Sequence, residues 1–393
     1  MPNGAGGAYD WIGFDPRGVG SSIPALSCDG NYFKAPRPKY VPTTQKLETT
    51  WLNRSKKYAK ACDKAGGALL DNVRTTDTVK DMETLRKALG KTQINFYGFS
   101  YGSYLGQVYS TVYPTRVRRM VLDGIVDPRG VWYKANLEQD KAFEKAMTVF
   151  FGWVAENDAT YELGKTEAVV EKKYYAALST LGKKPAGGKL GAAEWTDAFL
   201  SAGYSVYAWE EIADFFAAYV NKGDYKPALA AYVGANPTGK GADNGFAMYL
   251  ATQCTDAEWP SYYKWRMDNW VLHATAPFNT WANVWFNAPC LTWAGRDNKK
   301  DVPVTVHTSS KVPPFLLISE TLDGATPYSG ALEVRKRFPQ SVLIERRRHH
   351  PRRLAVRRLL HRRPDRRLPH RRLPADPGGR QQVRRAVRPQ PAA

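Results

Sequence analysis

One short segment restricts the possible folds of this chain more than any other feature. An apolar run at residues 94–97 precedes GFSYG at residues 98–102, and the helical pattern that follows ends at Pro114. Glycines on both sides of Ser100 permit a sharp strand-to-helix turn with the serine hydroxyl at its apex. At the start of that helix, the backbone amide of Tyr101 is placed to donate to an oxyanion.

The elements around this turn alternate between strand and helix. Apolar runs predict strands at residues 9–14, 94–97, 120–122, 314–319 and 341–344, and periodicity predicts helices at residues 76–89, 101–113 and 332–337. Strands separated by helices predict a mostly parallel sheet covered on both faces. Together with the serine turn, this pattern predicts the α/β class and the α/β-hydrolase fold.

A long central stretch departs from this alternation. Helical periodicity dominates residues 132–293, and ten of the twelve tryptophans lie there, so we predict a helical cap inserted between strands of the sheet. The predicted organisation is a first core part, a helical cap, a second core part and an Arg- and Pro-rich tail, at residues 1–130, 131–295, 296–345 and 346–393.

The net charge of +20 comes mainly from the tail. Residues 346–393 contain 17 Arg, no Lys and two Asp, and so carry +15 of the total. The tail has seven Pro and no aromatic residue, which predicts disorder. Its arginines would bind phosphates without reading sequence, so we expect no specific nucleic-acid partner. No apolar run is long enough to span a bilayer, and we expect no membrane partner.

Serine chemistry requires two further groups, a histidine that takes the hydroxyl proton and a carboxylate that orients the histidine. In this fold class the chain order is serine, acid, histidine. Asp323 is the predicted acid, because it lies in a loop directly after the apolar run at residues 314–319. Glu320 is its competitor, and Asp123 and Asp127 follow an earlier strand.

Several motifs together resemble one known family. They are YDWIGFDPRGVGSS, YGFSYGSY, VLDG and DGATP, at residues 9–22, 97–104, 121–124 and 323–327. These motifs are similar to those of the secreted tripeptidyl aminopeptidases of actinobacteria, which are relatives of proline iminopeptidase. The resemblance implies a secreted or cell-envelope serine exopeptidase that releases short peptides from free N-termini. It implies Ser100 as nucleophile and Asp323 as triad acid, and the sequence shows no metal or cofactor motif.

The four cysteines have no metal-ligand spacing. From the residues alone, buried thiols and disulfides both remain open. The family resemblance implies disulfides that pair Cys28 with Cys62 and Cys254 with Cys290. Residues 1–5 show neither the basic start nor the apolar stretch of a signal peptide.

An aminopeptidase also needs acidic side chains that bind the ammonium group of its substrate. Glu210, Glu211 and Asp256 each lie close to a tryptophan in the sequence. A carboxylate beside an aromatic ring suits an ammonium group, through ion pairing and cation–π attraction. These three residues are therefore candidates for amine binding, although a solvated helix surface also explains any one of them.

The N-terminal side departs from the family pattern. The resemblance implies additional strands and a Gly-rich loop with a second oxyanion amide before residue 9, and residues 1–8 contain neither. On this basis we expect the chain as given to lack a central strand and one oxyanion donor. Losing one such donor costs on the order of a hundredfold in rate.

The C-terminal side departs at Arg346, where lysine disappears and Arg, Pro and His dominate. With GC-rich codons, a one-base forward shift of the reading frame permits Gly-Gly-Gly-Thr-Thr-His from this position. We hypothesise a frameshift near Glu345, with the family's histidine restored from the codons of Pro351 and Arg352. Resequencing the DNA tests this hypothesis, and codons that cannot encode Thr-Thr-His refute it.

The histidines of the chain fit the expected order unequally. His273 and His307 precede Asp323, whereas His349 and His350 lie near the right place in the chain. The triad requires a histidine of set tautomer and orientation, which a chance replacement does not supply, so we expect impaired activity from the chain as written.

Three other interpretations remain open. The first is an esterase or lipase that uses the same nucleophile and needs no ammonium anchor. The second is nucleic-acid binding by the tail, and the third is an inactive fragment that exposes apolar strand edges. The oligomeric state and the preferred residues of the released peptide are not predicted.

Overall fold

The computed structural model describes residues 6–293 and 303–346. Within them, the strands are β1 (Ile94–Phe99), β2 (Val117–Asp123), β3 (Leu316–Glu320) and β4 (Val342–Arg346). The helices are α1 (Gln45–Gly66), α2 (Thr75–Ala88), α3 (Tyr101–Val112), α4 (Tyr133–Glu156), α5 (Asp158–Tyr161), α6 (Glu167–Lys183), α7 (Ala192–Phe199), α8 (Ser201–Tyr204), α9 (Trp209–Lys222), α10 (Lys226–Ala235), α11 (Asn244–Asp256), α12 (Tyr262–His273), α13 (Thr280–Asn287) and α14 (Tyr328–Arg337). Short 3₁₀ turns lie at Gly67–Asn72, Pro114–Arg116, Val206–Ala208 and Ala288–Thr292.

The four strands form one parallel sheet in the order β1-β2-β3-β4. One row of the register aligns Tyr97 with Val121, Val121 with Leu316, and Leu316 with Val342. Parallel strands bring their carboxyl ends to one edge of the sheet, which is where ligands bind in open α/β sheets. The predicted α/β class and parallel sheet are confirmed.

Helix α3 packs on the sheet, and its apolar residues face β1 and β2. Val108 on α3, Leu122 on β2 and Leu317 on β3 are fully buried. Burying each such side chain stabilises the fold by about 1.5–3 kcal/mol. The base of the serine turn is therefore fixed by the core of the sheet.

In the part of the chain that the structure describes, ten helices, α4 to α13, lie between β2 and β3. Several of them enclose an aromatic cluster with fully or almost fully buried members Phe150, Phe151, Tyr174, Trp195, Phe199, Trp209 and Phe216. The helical insertion expected from the sequence is therefore present, while the domain boundaries at residues 130 and 295 stay predictions. Among the helices that the structure describes, none is both long and apolar enough to cross a bilayer.

Two features differ from the sequence expectation. Residues 9–14 form no strand, and the side chains of Trp11 and Ile12 are more than half exposed. In residues 6–293 and 303–346 no strand pairs with this segment, and an extended chain without a partner has no ladder of hydrogen bonds. Helix α1 was not predicted, although its N-cap Thr44 accepts a hydrogen bond from the Leu47 amide.

The cysteines form two disulfides, in the pairs that the family resemblance implies. Cys28 and Cys62 join the segment before α1 to the last turns of that helix. Cys254 and Cys290 join α11 to the 3₁₀ turn at Ala288–Thr292. All four cysteines of the chain are oxidised, which fits an oxidising compartment.

Candidate active site

Ser100 is the single residue between β1 and α3, and it has a backbone conformation that non-glycine residues rarely adopt. Its φ is 53° and its ψ is −125°. Such a conformation costs on the order of 1–3 kcal/mol and persists only where the surrounding structure enforces it. The residue is exposed and lies directly beyond the carboxyl end of β1.

Hydrogen bonds on both sides of Ser100 enforce this turn. Its amide donates to the carbonyl of Asp123 at the end of β2, over 2.9 Å. Its carbonyl accepts from the amide of Ser103 over 2.9 Å and from the Ser103 hydroxyl over 2.6 Å. The same hydroxyl oxygen accepts from the amide of Val126 over 2.9 Å. Ser103, which the sequence analysis did not identify, thus ties the serine turn to the loop after β2.

Glycine at position 98 is required by close packing inside the turn. A Cβ atom there would lie 2.4 Å from the carbonyl oxygen of Gly102, a distance that real Cβ atoms do not show. The strand therefore approaches the helix backbone directly, as the GFSYG pattern predicts.

Asp323 follows β3 and is half-buried in a tight turn. Its Oδ1 accepts from the amides of Ala325 and Thr326, each over 2.9 Å, and its Oδ2 accepts from the Thr326 hydroxyl over 2.8 Å. These donors hold the carboxylate in one orientation. Sequence reasoning missed the Thr326 hydroxyl, although an Asp side chain commonly forms a turn by accepting from the backbone two residues on, as Asp323 does from Ala325.

Gly124 brings the predicted nucleophile and the predicted acid together. Its φ is +63°, and a Cβ atom on it would lie 3.6 Å from the amide nitrogen of Ser100 and 3.8 Å from Oδ2 of Asp323. Both groups therefore flank the same glycine at the carboxyl edge of the sheet. Its amide donates to the carbonyl of Ile318 on β3 over 2.9 Å, which fixes the spacing of the two strands.

The competing carboxylates have other partners. Asp127 forms a bidentate ion pair with Arg129, and Glu320 lies 3.5 Å from Arg346. Asp123 accepts from the Tyr97 hydroxyl over 3.0 Å. Within residues 6–293 and 303–346, no Lys or Arg forms an ion pair with Asp323, so its charge remains available to a histidine.

The histidines that the structure describes do not complete the site. His307 accepts at its backbone from Thr111 at the far end of α3, ten residues beyond the start of that helix. At 1.5 Å per residue this places the contact roughly 15 Å from the serine turn. The ring of His273 meets the ring of Trp270 on α12 edge-on, and Nδ1 of His273 is buried with no hydrogen-bond partner among the residues that the structure describes. His349 and His350 lie outside the described residues, as does the predicted tail from residue 347 onward.

The oxyanion donor predicted at Tyr101 lies at the N-terminus of α3. The first hydrogen bond of the turn runs from the Ser103 amide to Ser100, so the Tyr101 amide precedes it. Amides in this position have no acceptor inside the helix and carry the positive end of its dipole. The Tyr101 hydroxyl forms a hydrogen bond with the Thr75 hydroxyl over 2.8 Å, which anchors the Tyr101 side chain away from the serine.

Asp256, a candidate amine-binding residue, is only 2% exposed. Its carboxylate accepts from the Thr75 amide over 2.7 Å, from the Thr75 hydroxyl over 2.5 Å and from Nε1 of Trp132 over 3.1 Å. Burial raises the pKa of Asp256 to about 6 against the opposing effect of these donors. Both carboxylate oxygens therefore interact with protein donors rather than with solvent.

The other two amine-binding candidates lie in the first turn of α9. Glu211 is exposed and lines a small cavity of about 110 Å³ together with Asp197 and Ser201, whereas Glu210 is half-buried. The segment before α9 reaches the acid loop, because the amide of Gly324 donates to the carbonyl of Gly203 over 3.3 Å.

Tyr204 follows Gly203, whose carbonyl contacts the acid loop, and was not predicted from the sequence. Its ring packs against Phe143 at 5.2 Å, and partial burial and then the charge of Asp323 raise the pKa of its hydroxyl. Tyr204 therefore lies in the electrostatic field of the predicted acid. Among the described residues, no group of three or more His, Cys, Asp or Glu side chains has the arrangement of a metal site.

Comparison with known proteins supports the α/β-hydrolase fold. A family model described as "alpha/beta hydrolase fold" matches residues 3–240, and one described as "TAP-like protein" matches residues 276–353. The tripeptidyl aminopeptidase of Streptomyces lividans is 42% identical over 347 residues, which cover 86% of this chain and 64% of that protein. The chain thus spans slightly less than two thirds of that relative.

Two mycobacterial proteins are more distant relatives. The serine protease Hip1 of Mycobacterium tuberculosis is 30% identical over 361 residues, covering 85% of this chain and 67% of that protein. Carboxylesterase B of the same species is 29% identical over 351 residues, covering 84% of this chain and 65% of that protein. The resemblance to tripeptidyl aminopeptidases drawn from the motifs is confirmed.

Proposed function

Because the chain belongs to the α/β-hydrolase fold family, we propose that it is a serine exopeptidase that releases tripeptides from free N-termini. The observation that carries this proposal is the exposed Ser100 in an enforced turn, beside Asp323 across Gly124. The higher identity to tripeptidyl aminopeptidase than to carboxylesterase favours a peptide substrate over a simple ester.

The proposed chemistry is acyl transfer in two steps. Ser100 Oγ attacks the scissile carbonyl carbon while a histidine takes the hydroxyl proton, and the resulting oxyanion accepts a hydrogen bond from the Tyr101 amide. The tetrahedral intermediate expels the amine, which leaves with the proton from the imidazolium. Water then hydrolyses the acyl-enzyme by the same route. Asp323 orients the histidine and stabilises its cation, and the expected position of that histidine lies beyond β4.

Selectivity for a free N-terminus requires a carboxylate at a fixed distance from Ser100. We place this role on Glu210 and Glu211, because the segment leading to α9 contacts the acid loop through Gly203. Asp256 is the weaker candidate of the original three, because its oxygens already accept three protein donors.

The two disulfides support export to an oxidising compartment. We propose a secreted or cell-envelope location on this ground and on the family resemblance. Fractionation of the native host, followed by immunodetection in the medium, envelope and cytoplasm, tests this proposal, and a purely cytoplasmic signal contradicts it.

The activity experiment compares three chromogenic substrates with the full chain. They are a tripeptide p-nitroanilide with a free N-terminus, the same peptide acetylated, and p-nitrophenyl butyrate. Of the three substrates we expect cleavage of the free peptide only, at the impaired rate expected of the chain as written, and loss of that cleavage in Ser100→Ala. Preference for the ester or for the acetylated peptide supports the esterase alternative instead, which the carboxylesterase relative keeps open. No turnover of any substrate contradicts the proposed function of the chain as written.

A further inference from the structure

Three elements of the fold meet at Asp256, a residue that has no role in the proposed chemistry. It is the last residue of α11, and its Oδ1 accepts from the Thr75 amide in the first turn of α2. That amide is one of the helix donors that have no acceptor within the helix, so the carboxylate serves as a cap contributed by another helix. Complete burial of both partners means that these contacts are not screened by water.

A relay of hydroxyl groups leads from this carboxylate to the residue after the nucleophile. An ionised carboxylate only accepts, so the Thr75 hydroxyl donates to Oδ2 of Asp256. The single Thr75 proton is then used, and the Tyr101 hydroxyl must be the donor in its 2.8 Å contact with Oγ1 of Thr75. The direction of every hydrogen bond in the relay therefore follows from the charge on Asp256.

Trp132 holds the same tyrosine from a second side. Its Nε1 donates to Oδ2 of Asp256 over 3.1 Å, and the ring centroid of Trp132 lies 5.8 Å from that of Tyr101. The Trp132 ring also meets Tyr104 edge-on at 5.1 Å. One carboxylate thus fixes both the hydroxyl that terminates the Tyr101 side chain and the indole packed beside its ring.

We propose that Asp256 is a positioning residue for the oxyanion donor, acting through Thr75 and Trp132 on the side chain of Tyr101. This inference rests on the proposed serine chemistry. The Tyr101 side chain is held at its hydroxyl by Thr75 and along its ring by Trp132, and this restrains the backbone of Tyr101. The amide of that backbone directly follows the strained Ser100. Without the anchor, the first turn of α3 relaxes the strain at Ser100 by rotating the peptide that carries the donor amide.

Two single substitutions remove the relay without changing side-chain shape much. Thr75→Val deletes one hydroxyl and retains the amide bond to Asp256, and Tyr101→Phe deletes the other hydroxyl. The readout is the rate at which Ser100 of the full chain is labelled by a fluorophosphonate, where its Oγ displaces fluoride from phosphorus. We expect labelling to slow about tenfold in either variant, since a displaced oxyanion donor acts on the transition state.

Three controls separate positioning from general stability. Tyr109→Phe removes a buried hydroxyl on the same helix, bonded to Glu83 over 3.2 Å, and is expected to label at the normal rate. Thr75→Ser retains a hydroxyl at this position, and we expect it to be labelled at the normal rate. The double variant of Thr75→Val and Tyr101→Phe should label no more slowly than either single variant, because both act on one relay.

Amide hydrogen exchange of the peptide containing residues 99–108 gives a readout that needs no reactivity. Exchange of this segment should accelerate in Thr75→Val and Tyr101→Phe, and not in Thr75→Ser. If unsubstituted Ser100 takes no label, the proposed function fails, and exchange alone decides this inference. Normal labelling and normal exchange in both relay variants overturn it, as does an equal slowing in Tyr109→Phe.

Discussion

The Thr326 hydroxyl donates a 2.8 Å hydrogen bond to the Oδ2 oxygen of Asp323. This oxygen lies close to Gly124, and so does the Ser100 amide. Thr326 is buried, and its backbone amide binds the other carboxylate oxygen. The threonine thus holds the predicted acid from two directions, and it turns Oδ2 toward the site.

Replacing Thr326 by valine tests this relationship. The variant keeps the amide bond to Oδ1 but removes the hydroxyl, so we expect a loss of about 1 kcal/mol in stability and a fall of about tenfold in kcat/KM on the free tripeptide substrate. Thr196→Val is the matched control, because that buried hydroxyl bonds the Ala192 carbonyl within α7. Equal kinetic losses in the two variants contradict the assigned role of Thr326.

Gly124→Ala is expected to disturb the site by contact as well as by backbone strain. The new Cβ would lie 3.0 Å from the Thr326 hydroxyl, at a φ of +63°. Gly223→Ala imposes a similar φ of +68° with no atom within 4 Å of the new Cβ. Strain alone costs about 1 kcal/mol, so urea unfolding should show a larger loss for Gly124→Ala than for Gly223→Ala. A smaller or equal loss would show that the threonine moves aside freely.

The buried Asp256 predicts a specific dependence of stability on pH. Burial raises its pKa to about 6 in the folded protein, above the unfolded value of about 3.9. Between these two values the folded state binds the proton and the unfolded state does not, so stability falls as the pH rises. The charged groups that face it are Asp77 on α2 and, when ionised, Tyr101 and Tyr104 on α3.

The measurement compares the unfolding free energy of the protein and of Asp256→Asn from pH 4 to pH 7. The contributions of other titrating groups cancel when the two unfolding free energies are subtracted. We expect the unsubstituted protein to lose on the order of 3 kcal/mol relative to Asp256→Asn as the pH rises across this range. A difference that is flat with pH means that Asp256 titrates normally and that the interior accommodates its charge.

Reduction of the disulfides should destabilise the protein substantially. The two bridges span sequence separations of 34 and 36 residues, so the loop-entropy relation gives about 4 kcal/mol for each. Because the separations are similar, Cys28→Ser with Cys62→Ser and Cys254→Ser with Cys290→Ser should lose similar amounts in chemical unfolding. Thermal melting that dithiothreitol does not change would contradict a stabilising role for the bridges.

The serine turn was predictable because its determinants are local. A strand, two glycines around Ser100 and a helix start lie within a few residues of each other, and together they specify one backbone geometry. The chain order of serine before acid followed from the fold class and not from adjacent residues. The pairing of the cysteines followed from family resemblance, since four cysteines alone permit three pairings.

Tertiary structure decided what depends on contacts between distant segments. Three remote parts of the chain meet at Asp256, so its burial and its donors could not be inferred from the neighbouring tryptophan, and an apparent amine-binding residue is surrounded by protein. The apolar run at residues 9–14 has strand composition but pairs with no strand that the structure describes. Local sequence determines conformations that a few adjacent residues can enforce, whereas burial, charge and pairing are properties of surroundings that only the folded chain assembles.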